Sequence, residues 1–555
     1  MGASVAEEDG RVVVLAPLIL WAVALLLVPP SGEFPLNDDW IYSRAVLDWL
    51  DTGTYGGHPF STATLVAQAG WGALFSLVFG FSFEVLRWST LFLWAVAAVT
   101  TGQMARVLGA DRWAASLAGC LIIANPLALN LGYTFMTDVP FLALMTLSAY
   151  GYLRFLAVQS LRWLVWGSCF GALAFLVRQF APVVLLAFLV ANLPHWRALR
   201  VDRTTGIRVL VLLVPWLVAW GGYALLPRQA EALGHTWIPE YLGETRWLQV
   251  FGAAKFYVVA LAYLALFTAP LLVAAAWAWY RDETGCWKRR TLWTGAIGMT
   301  LGVVSVAYAP RRMPYLGNIL FDAGLGPRTL RSGADATGIG TPPVWGDGWW
   351  LLTILALTGG AWLLLRALVW LRDWVAGAAG SVAHRRILFL GLWAALSVVA
   401  LYHPLLPVRF DRYLLGALVP VLVLLSSTAR MPQLGLRIFQ GVCALAFFAF
   451  SVAAQHDYLA WNHARWRALD GLLKENIPPE SIDGGYEFNG WYTSPHFIKV
   501  LGADAFIDAG PLGWWVVDDT YAIAWQERAG FRLREEVPYG TWLGKDQRLL
   551  VLERE

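Results

Sequence analysis

The stretch NPLALNLGYTFMTDVPFLALMTLSAYGYLRFL, residues 125–156, carries one acid, Asp138, and one base, Arg154, among thirty-two residues. The run that follows Asp138 is long enough to cross a hydrocarbon core of ~30 Å as a helix. Such runs recur throughout the 555 residues: hydrophobic side chains make up 58%, charged ones 14%, and the mean hydropathy is +0.55. A soluble chain carries about a quarter charged residues, so this composition specifies an all-α polytopic membrane protein. The net charge of +3 is too small to argue for nucleic acid. Cys120, Cys169, Cys286 and Cys443 lack ligand spacing, which removes a zinc site and a disulfide framework. The 32 tryptophans gather near segment ends, as interfacial anchors do.

Apolar runs fall at 12–29, 86–105, 113–131, 139–157, 162–177, 180–193, 207–226, 252–279, 291–309, 349–371, 387–402, 413–428 and 436–454. They predict about thirteen transmembrane helices. Arg and Lys of the short loops, from Arg106 and Arg112 to Arg430 and Arg437, then share one face, which the positive-inside bias makes cytoplasmic. The N-terminus is expected in the cytoplasm. The outer face receives residues 30–85, 227–251, 310–348 and the tail from 456. The first apolar run ends at Pro29-Pro30 without a small-residue cleavage site and reads as a retained helix. The expected domains are a membrane unit, 1–455, and a small C-terminal α/β unit, 456–555. In the tail, ARWRALDGLLKENIP reads as a helix, and TYAIAWQERAGFRLREEV and QRLLVLERE lead into strands between Gly-rich turns. Residues 62–80 fit either a span or an interfacial helix. They are not counted as a span, because that would invert everything downstream.

Charged residues at the outer ends of these runs are the candidates for chemistry, since an ionisable group at membrane depth is costly unless it works. In FPLNDDWIYSRAVLDWL, residues 34–50, Asp38 and Asp39 open an amphipathic helix. An N-cap accounts for one aspartate and leaves the second for chemistry. Asp138 sits at a conventional helix start, TDVP, on the same face. Arg178 separates two short runs, Arg311 and Arg312 follow the ninth, and Arg409 and Arg412 flank Asp411 before the twelfth. Interfacial snorkelling suits Arg311 and Arg312 as well as a site does, and Asp411 could pair with its own neighbours. Together these groups form a basin of carboxylates and guanidiniums. Guanidinium forks suit phosphate, and a carboxylate suits a hydroxyl proton. Tyr42, Gln179 and Tyr413, beside those charges, are candidates for holding the acceptor or sugar.

The order of DDWIY, GGHPF, WGALFSLVFG, RWSTLFLWAVAAVTTGQMARVLG, the stretch at 125–156 and ALAFLVRQFAPVVLL resembles the GT-C fold glycosyltransferases of the protein O-mannosyltransferase and aminoarabinose-transferase type. The resemblance is best over 30–195, with RFDRYLLGALVPVLVLL a weaker match later. It implies a sugar donor linked to a polyprenyl phosphate and an outer C-terminal domain. Asp38 becomes base or acceptor ligand and Asp138 the second acid, while Asp39 is left to cap or support the interfacial helix. Arg178 becomes the basic residue at the donor. His58 stands in GGHPF where relatives often carry Lys, and contacts the phosphate only if protonated. The expected reaction is inverting transfer of a sugar to a hydroxyl of a lipid, glycan or protein, on the outer face of a bacterial inner membrane. No organic cofactor is expected. A divalent cation at the acidic pair is left open, the family being divided on metal use. A carrier-lipid transporter would also want these charges but predicts an internal repeat, and none is apparent. An assembly scaffold accounts for neither the acidic pair nor Arg178.

Overall fold

The computed structural model describes residues 2–198, 203–226, 246–281, 286–308, 312–330, 346–375, 381–402, 409–428, 433–506, 510 and 512–555. Arg311, most of the expected outer loop at 227–251 and part of that at 310–348 lie outside them. The helices are α1 (Gly2–Leu27), α2 (Asp39–Thr52), α3 (Val66–Phe79), α4 (Phe83–Val107), α5 (Arg112–Ala124), α6 (Pro126–Gly132), α7 (Asp138–Val158), α8 (Leu161–Phe175), α9 (Pro182–Ala198) and α10 (Arg203–Leu225). Then come α11 (Arg246–Phe267), α12 (Ala269–Tyr280), α13 (Cys286–Tyr308), α14 (Gly348–Val375), α15 (Val382–Ala400), α16 (Leu415–Thr428) and α17 (Leu434–Lys474). Each apolar run of the sequence is helical. Among the described residues, eight helices are long and apolar enough to span, or up to ten if each of two bent pairs is one span.

Of the five remaining expected runs, two fall in bent pairs and two are the apolar but shorter helices α8 and α9. Between α5 and α6 the chain bends by 59° at Asn125-Pro126. Asn125 is extended (φ −67°, ψ 125°), as a residue before proline prefers, and its side chain accepts from the N–H groups of Leu127 and Ala128. Between α11 and α12 the bend is 94°, with Thr268 at the corner and Pro270 in the first turn of α12. The run 252–279, expected as one span, is therefore two helices nearly at right angles. Helix α8 and helix α3 have 15 and 14 residues, roughly 21–23 Å, short of the ~30 Å core. They complete each other. Leu65 and Ala67 N–H donate to the carbonyls of Val177 and Leu176, and Thr64 Oγ1 donates to Phe175 O at 2.6 Å. The orphan carbonyls at the end of α8 are thus met by the start of α3.

At one end of the bundle lies the C-terminal unit. Helix α17 runs unbroken for 41 residues, through the expected boundary at 455 and into this unit. Beyond it come β3 (Ile482–Asp483), α18 (Tyr486–Tyr492), α19 (Ser494–Leu501), β4 (Tyr521–Ala524), β5 (Phe531–Tyr539) and β6 (Gln547–Arg554). The sheet order is β3-β4-β6-β5, with β3 parallel to β4 and the other pairs antiparallel. A short hairpin, β1 (Leu320–Phe321) with β2 (Gly324–Leu325), lies against α17.

This unit is tied to α2 by buried polar contacts. Glu487 accepts from Asn37 N–H (3.0 Å), Thr329 Oγ1 (2.5 Å) and Arg465 Nη1 (2.7 Å), and Arg465 also donates to Gly484 O (2.8 Å). A buried ion pair with further hydrogen bonds of this kind is costly to break on one side only. Arg44 stacks on Trp491 at 3.9 Å and donates to its carbonyl. Gly490 lets α18 close on the buried Trp40: a Cβ there would lie 2.4 Å from Trp40 Cε2. Gly490→Ala is therefore expected to lose about 1–3 kcal/mol by overpacking, read as a lower unfolding midpoint in detergent. An unchanged midpoint would mean that α18 does not press on α2.

Candidate active site

Five segments meet where α2 faces the C-terminal unit. Asn37 in a left-handed turn (φ 57°) starts α2 and separates the roles of the two aspartates. Asp39 turns inward, and its Oδ1 accepts from Phe135 N–H (2.9 Å) and its Oδ2 from Leu36 N–H (3.3 Å). Burial pushes its carboxyl up to about 8, against the pull of Phe135 N–H, Arg87 and Leu36 N–H. Asp38 instead keeps its side chain 23% exposed. Its Oδ1 accepts from the Tyr486 phenol at 2.9 Å, and its Oδ2 lies 3.6 Å from Arg412 Nη2.

Arg412 is presented by a 3₁₀ turn, Asp411–Leu414, leading into α16. Asp411 holds that turn and does not pair with the neighbouring guanidiniums: its carboxylate accepts from the N–H groups of Leu320 (2.7 Å), Ile319 (3.2 Å) and Arg412 (2.7 Å). The guanidinium of Arg412 is left to reach Asp138 as well, Nε to Oδ2 being 3.9 Å. Asp138, at the first turn of α7, is bound by Arg178 Nη1 at 2.7 Å, and the same nitrogen donates to Thr137 Oγ1. Arg178 lies just beyond α8, where the chain leaves its end contacts with α3. The Tyr413 ring lies 5.0 Å from the Arg178 guanidinium and 5.5 Å from that of Arg412. The result is one alternating string: Arg178, Asp138, Arg412, Asp38, Tyr486. Arg412 Nε and Nη1 and Asp138 Oδ2 are buried without a hydrogen-bond partner. Such groups are costly to leave unmet.

Beside the string is a groove whose polar wall is Asp138, Arg178 and Arg412 and whose apolar wall includes Phe141, Met145 and Val183. Cationic forks beside an apolar track match an anionic head on a hydrocarbon tail.

Of the other expected residues, Tyr42 is buried beside the string. Burial and the Asp38 carboxylate raise its phenol above the ordinary value, while Arg412 and Arg178 pull it down. Gln179 is exposed and donates to Thr62 O (2.7 Å). Arg409 stacks on Tyr402 at 4.1 Å, a contact apart from the string. His58 is packed edge-on against Trp40 and Phe60, and its Nδ1 accepts from Phe60 N–H. Burial lowers its pKa to about 3, so the ring is neutral near pH 7 and the expected cationic phosphate contact is lost. The unfolded chain binds a proton here from about pH 6.5 downward, whereas the folded one does not until about 3. Stability is accordingly expected to fall as pH drops through that window, by roughly 1 kcal/mol per unit. Thermal unfolding at pH 7 and 4.5 checks this; His58→Phe should flatten the difference, and an equal slope in both proteins would refute it.

Among the described residues no group of three or more His, Cys, Asp or Glu side chains is placed to hold a metal. The acidic pair does not fit a divalent cation either, because both Asp39 oxygens are taken by backbone N–H and Arg412 lies against Asp38 and Asp138. Sequence reasoning missed Tyr486 and Thr137, and for Asp411 it offered guanidinium partners where the structure has backbone N–H groups. The aromatic cluster DGGYEFNGWY was the one signal for the first.

Fold and site together define an integral membrane protein with a buried Arg/Asp string between its helical bundle and a small C-terminal sheet unit. Residues 70–220 match the family described as dolichyl-phosphate-mannose-protein mannosyltransferase. No curated protein matches the chain in sequence. Among solved structures it is similar to ArnT from Cupriavidus metallidurans in the apo state, at 14% identity and TM-score 0.39, over 99% of this chain and 98% of that one. It is similar also to the same protein bound to undecaprenyl phosphate, at 14% identity and TM-score 0.39, over 97% of each chain. A third is the archaeal oligosaccharyltransferase AglB from Archaeoglobus fulgidus, in complex with an inhibitory peptide and a dolichol-phosphate, at 14% identity and TM-score 0.41, over 92% of this chain and 69% of that one.

Proposed function

We propose that this chain is an inverting glycosyltransferase that moves a sugar from a polyprenyl-phosphate-linked donor to a hydroxyl acceptor at the outer membrane–water boundary. The observation that carries the reading is the string of Arg178, Asp138 and Arg412 opening on an apolar groove, with Asp38 at its exposed end. The family match over 70–220 supports it. In this mechanism Asp38 takes the proton of the acceptor hydroxyl as that oxygen bonds to the anomeric carbon. The bond from that carbon to the phosphate oxygen breaks, and the electron pair leaves with the phosphate. Arg412 and Arg178 stabilise the charge that develops on it, as preorganised donors do. A single displacement inverts the anomeric centre. Asp138 holds the two guanidiniums in place, and Asp411 fixes the turn that carries one of them. The N-terminus lies in the cytoplasm and the C-terminal unit outside in this reading, supported by the Arg and Lys of the short loops.

The test is lipid retention by the full chain in detergent, read by native mass spectrometry with undecaprenyl phosphate and, separately, undecaprenol. Retention of the phosphate and not of the alcohol is expected. Equal retention, or retention of bulk phospholipid alone, would overturn the donor assignment and return weight to a transporter or scaffold.

A further inference from the structure

Helix α17 marks membrane depth along its own length. Ile438, Val442, Leu445 and Ala449 are exposed and Ala453 and His456 half-buried, each three or four residues after the last. That spacing puts them on one helix face. The face is apolar as far as Ala453 and ends at His456, beyond which the helix carries Asp457, His463, Arg465 and Arg467. From Arg437, in the first turn, to His456 the helix rises about 28 Å at ~1.5 Å per residue. That length matches a hydrocarbon core of ~30 Å and puts His456 at the boundary on the side of the C-terminal unit.

At that boundary sits the turn between β5 and β6, GTWLGKD, residues 540–546. Its Trp542 ring stacks on the His456 ring, with 4.0 Å between centroids and 9° between planes. Asp457 fastens the turn to α17: its Oδ1 accepts from Trp542 N–H at 2.6 Å and its Oδ2 from Leu543 N–H at 3.0 Å. His456 Nδ1 lies 3.0 Å from the same carboxylate. The turn is closed on itself by Thr541 Oγ1, which donates to Lys545 O. Leu543 packs inward on the core, whereas Trp542 leaves 51% of its surface open. A lone exposed tryptophan on a soluble surface is ordinary. This one is held by its backbone at the membrane boundary, with one ring face on the last residue of the lipid-facing stripe. The turn's own charges, Lys545 and Asp546, are both exposed and cancel, so it offers an aromatic ring and no net charge.

We infer that the β5–β6 turn is a membrane anchor of the C-terminal unit, with Trp542 seated at the glycerol and carbonyl level of the phospholipids beside the end of α17. An indole has an apolar body and one N–H, which suits that boundary better than either water or hydrocarbon. The seat fixes the height of the unit that brings Tyr486 to Asp38. The inference needs only that α17 spans the bilayer, and it stands or falls apart from the transferase reading.

The experiment places the photoreactive aromatic p-benzoylphenylalanine at position 542 of the full chain in phosphatidylcholine nanodiscs and reads the adducts formed on illumination by mass spectrometry. The comparison site is Arg532, exposed at the other end of β5, about 23 Å from the turn at ~3.3 Å per residue. A phospholipid adduct at 542, roughly tenfold or more above that at 532, is expected. Should the probe at 542 prevent folding, the exposed position 545 takes its place, with the same excess expected. Nanodiscs that also contain phosphatidylglycerol should give an unchanged yield, because the turn carries no net charge. No phospholipid adduct from the turn, or equal yields from turn and strand, would overturn the inference. A yield that rose roughly tenfold with phosphatidylglycerol would overturn it too, because charge and not the indole would then hold the turn to the bilayer.

Discussion

Asparagine in place of Asp38 is expected to leave the protein folded and its lipid binding intact while removing two to four orders of magnitude from kcat, roughly the worth of a positioned general base. The geometry makes this a clean substitution. The Tyr486 phenol donates to Asp38 Oδ1, and an amide oxygen at that position still accepts it. What disappears is the negative charge beside Arg412, 3.6 Å away, and the lone pair that would take the acceptor proton. Asp39→Asn is the contrasting variant. Both Asp39 oxygens accept backbone N–H bonds, so the amide must turn its NH₂ group toward one of them, and the loss should show in the unfolding midpoint before it shows in turnover. The assay is transfer from a polyprenyl-phosphate sugar to the acceptor, with unfolding midpoints taken on the same preparations. If Asp38→Asn turned over like wild type while Asp39→Asn did not, the roles given to the two aspartates would have to be exchanged.

The charges at the ends of apolar runs were legible because hydrocarbon tolerates them badly, which is why Asp138, Arg178 and Arg412 stood out and are found in contact. The helices were legible for the same reason. What lay beyond the sequence was set by packing between distant segments. Tyr486 comes to Asp38 across 448 residues, and nothing in a local pattern aims a phenol. Asp411 looked like an ion-pair partner for Arg409 and Arg412, yet the hairpin at 319–320 brings it N–H groups that outcompete them. His58 reads as a turn residue that contacts a phosphate only if protonated, and its packing under Trp40 and Phe60 depends on distant segments. The corner at Thr268 had only Pro270 to announce it, and a proline two residues into a helix equally suits an ordinary start. The α3–α8 junction depends on two short helices meeting end to end, which neither run specifies alone.

Arg412→Gln is expected to abolish selective retention of undecaprenyl phosphate, and Arg412→Lys to restore little of it. The guanidinium lies between Asp138 at 3.9 Å and Asp38 at 3.6 Å, with Nε and Nη1 lacking any hydrogen bond. A planar guanidinium suits the oxygens of a phosphate, and a lysine offers a point charge without that plane of donors. Hydrogen bonds to a charged group contribute about 1.5–3 kcal/mol each, so losing the fork should weaken binding by at least ten- to a hundredfold. The neutral glutamine also leaves Asp138 with Arg178 alone and so removes stability, which by itself could mimic a binding defect. The double variant Arg412→Gln with Asp138→Asn answers this, since it removes the excess carboxylate together with the cation. It should recover much of the unfolding midpoint and none of the phosphate retention. Recovery of both would mean that Arg412 serves the fold and that the lipid phosphate is held by Arg178. Undiminished retention in Arg412→Gln itself would move the donor out of this groove altogether, and with it the assignment of Asp38 as the base that faces it.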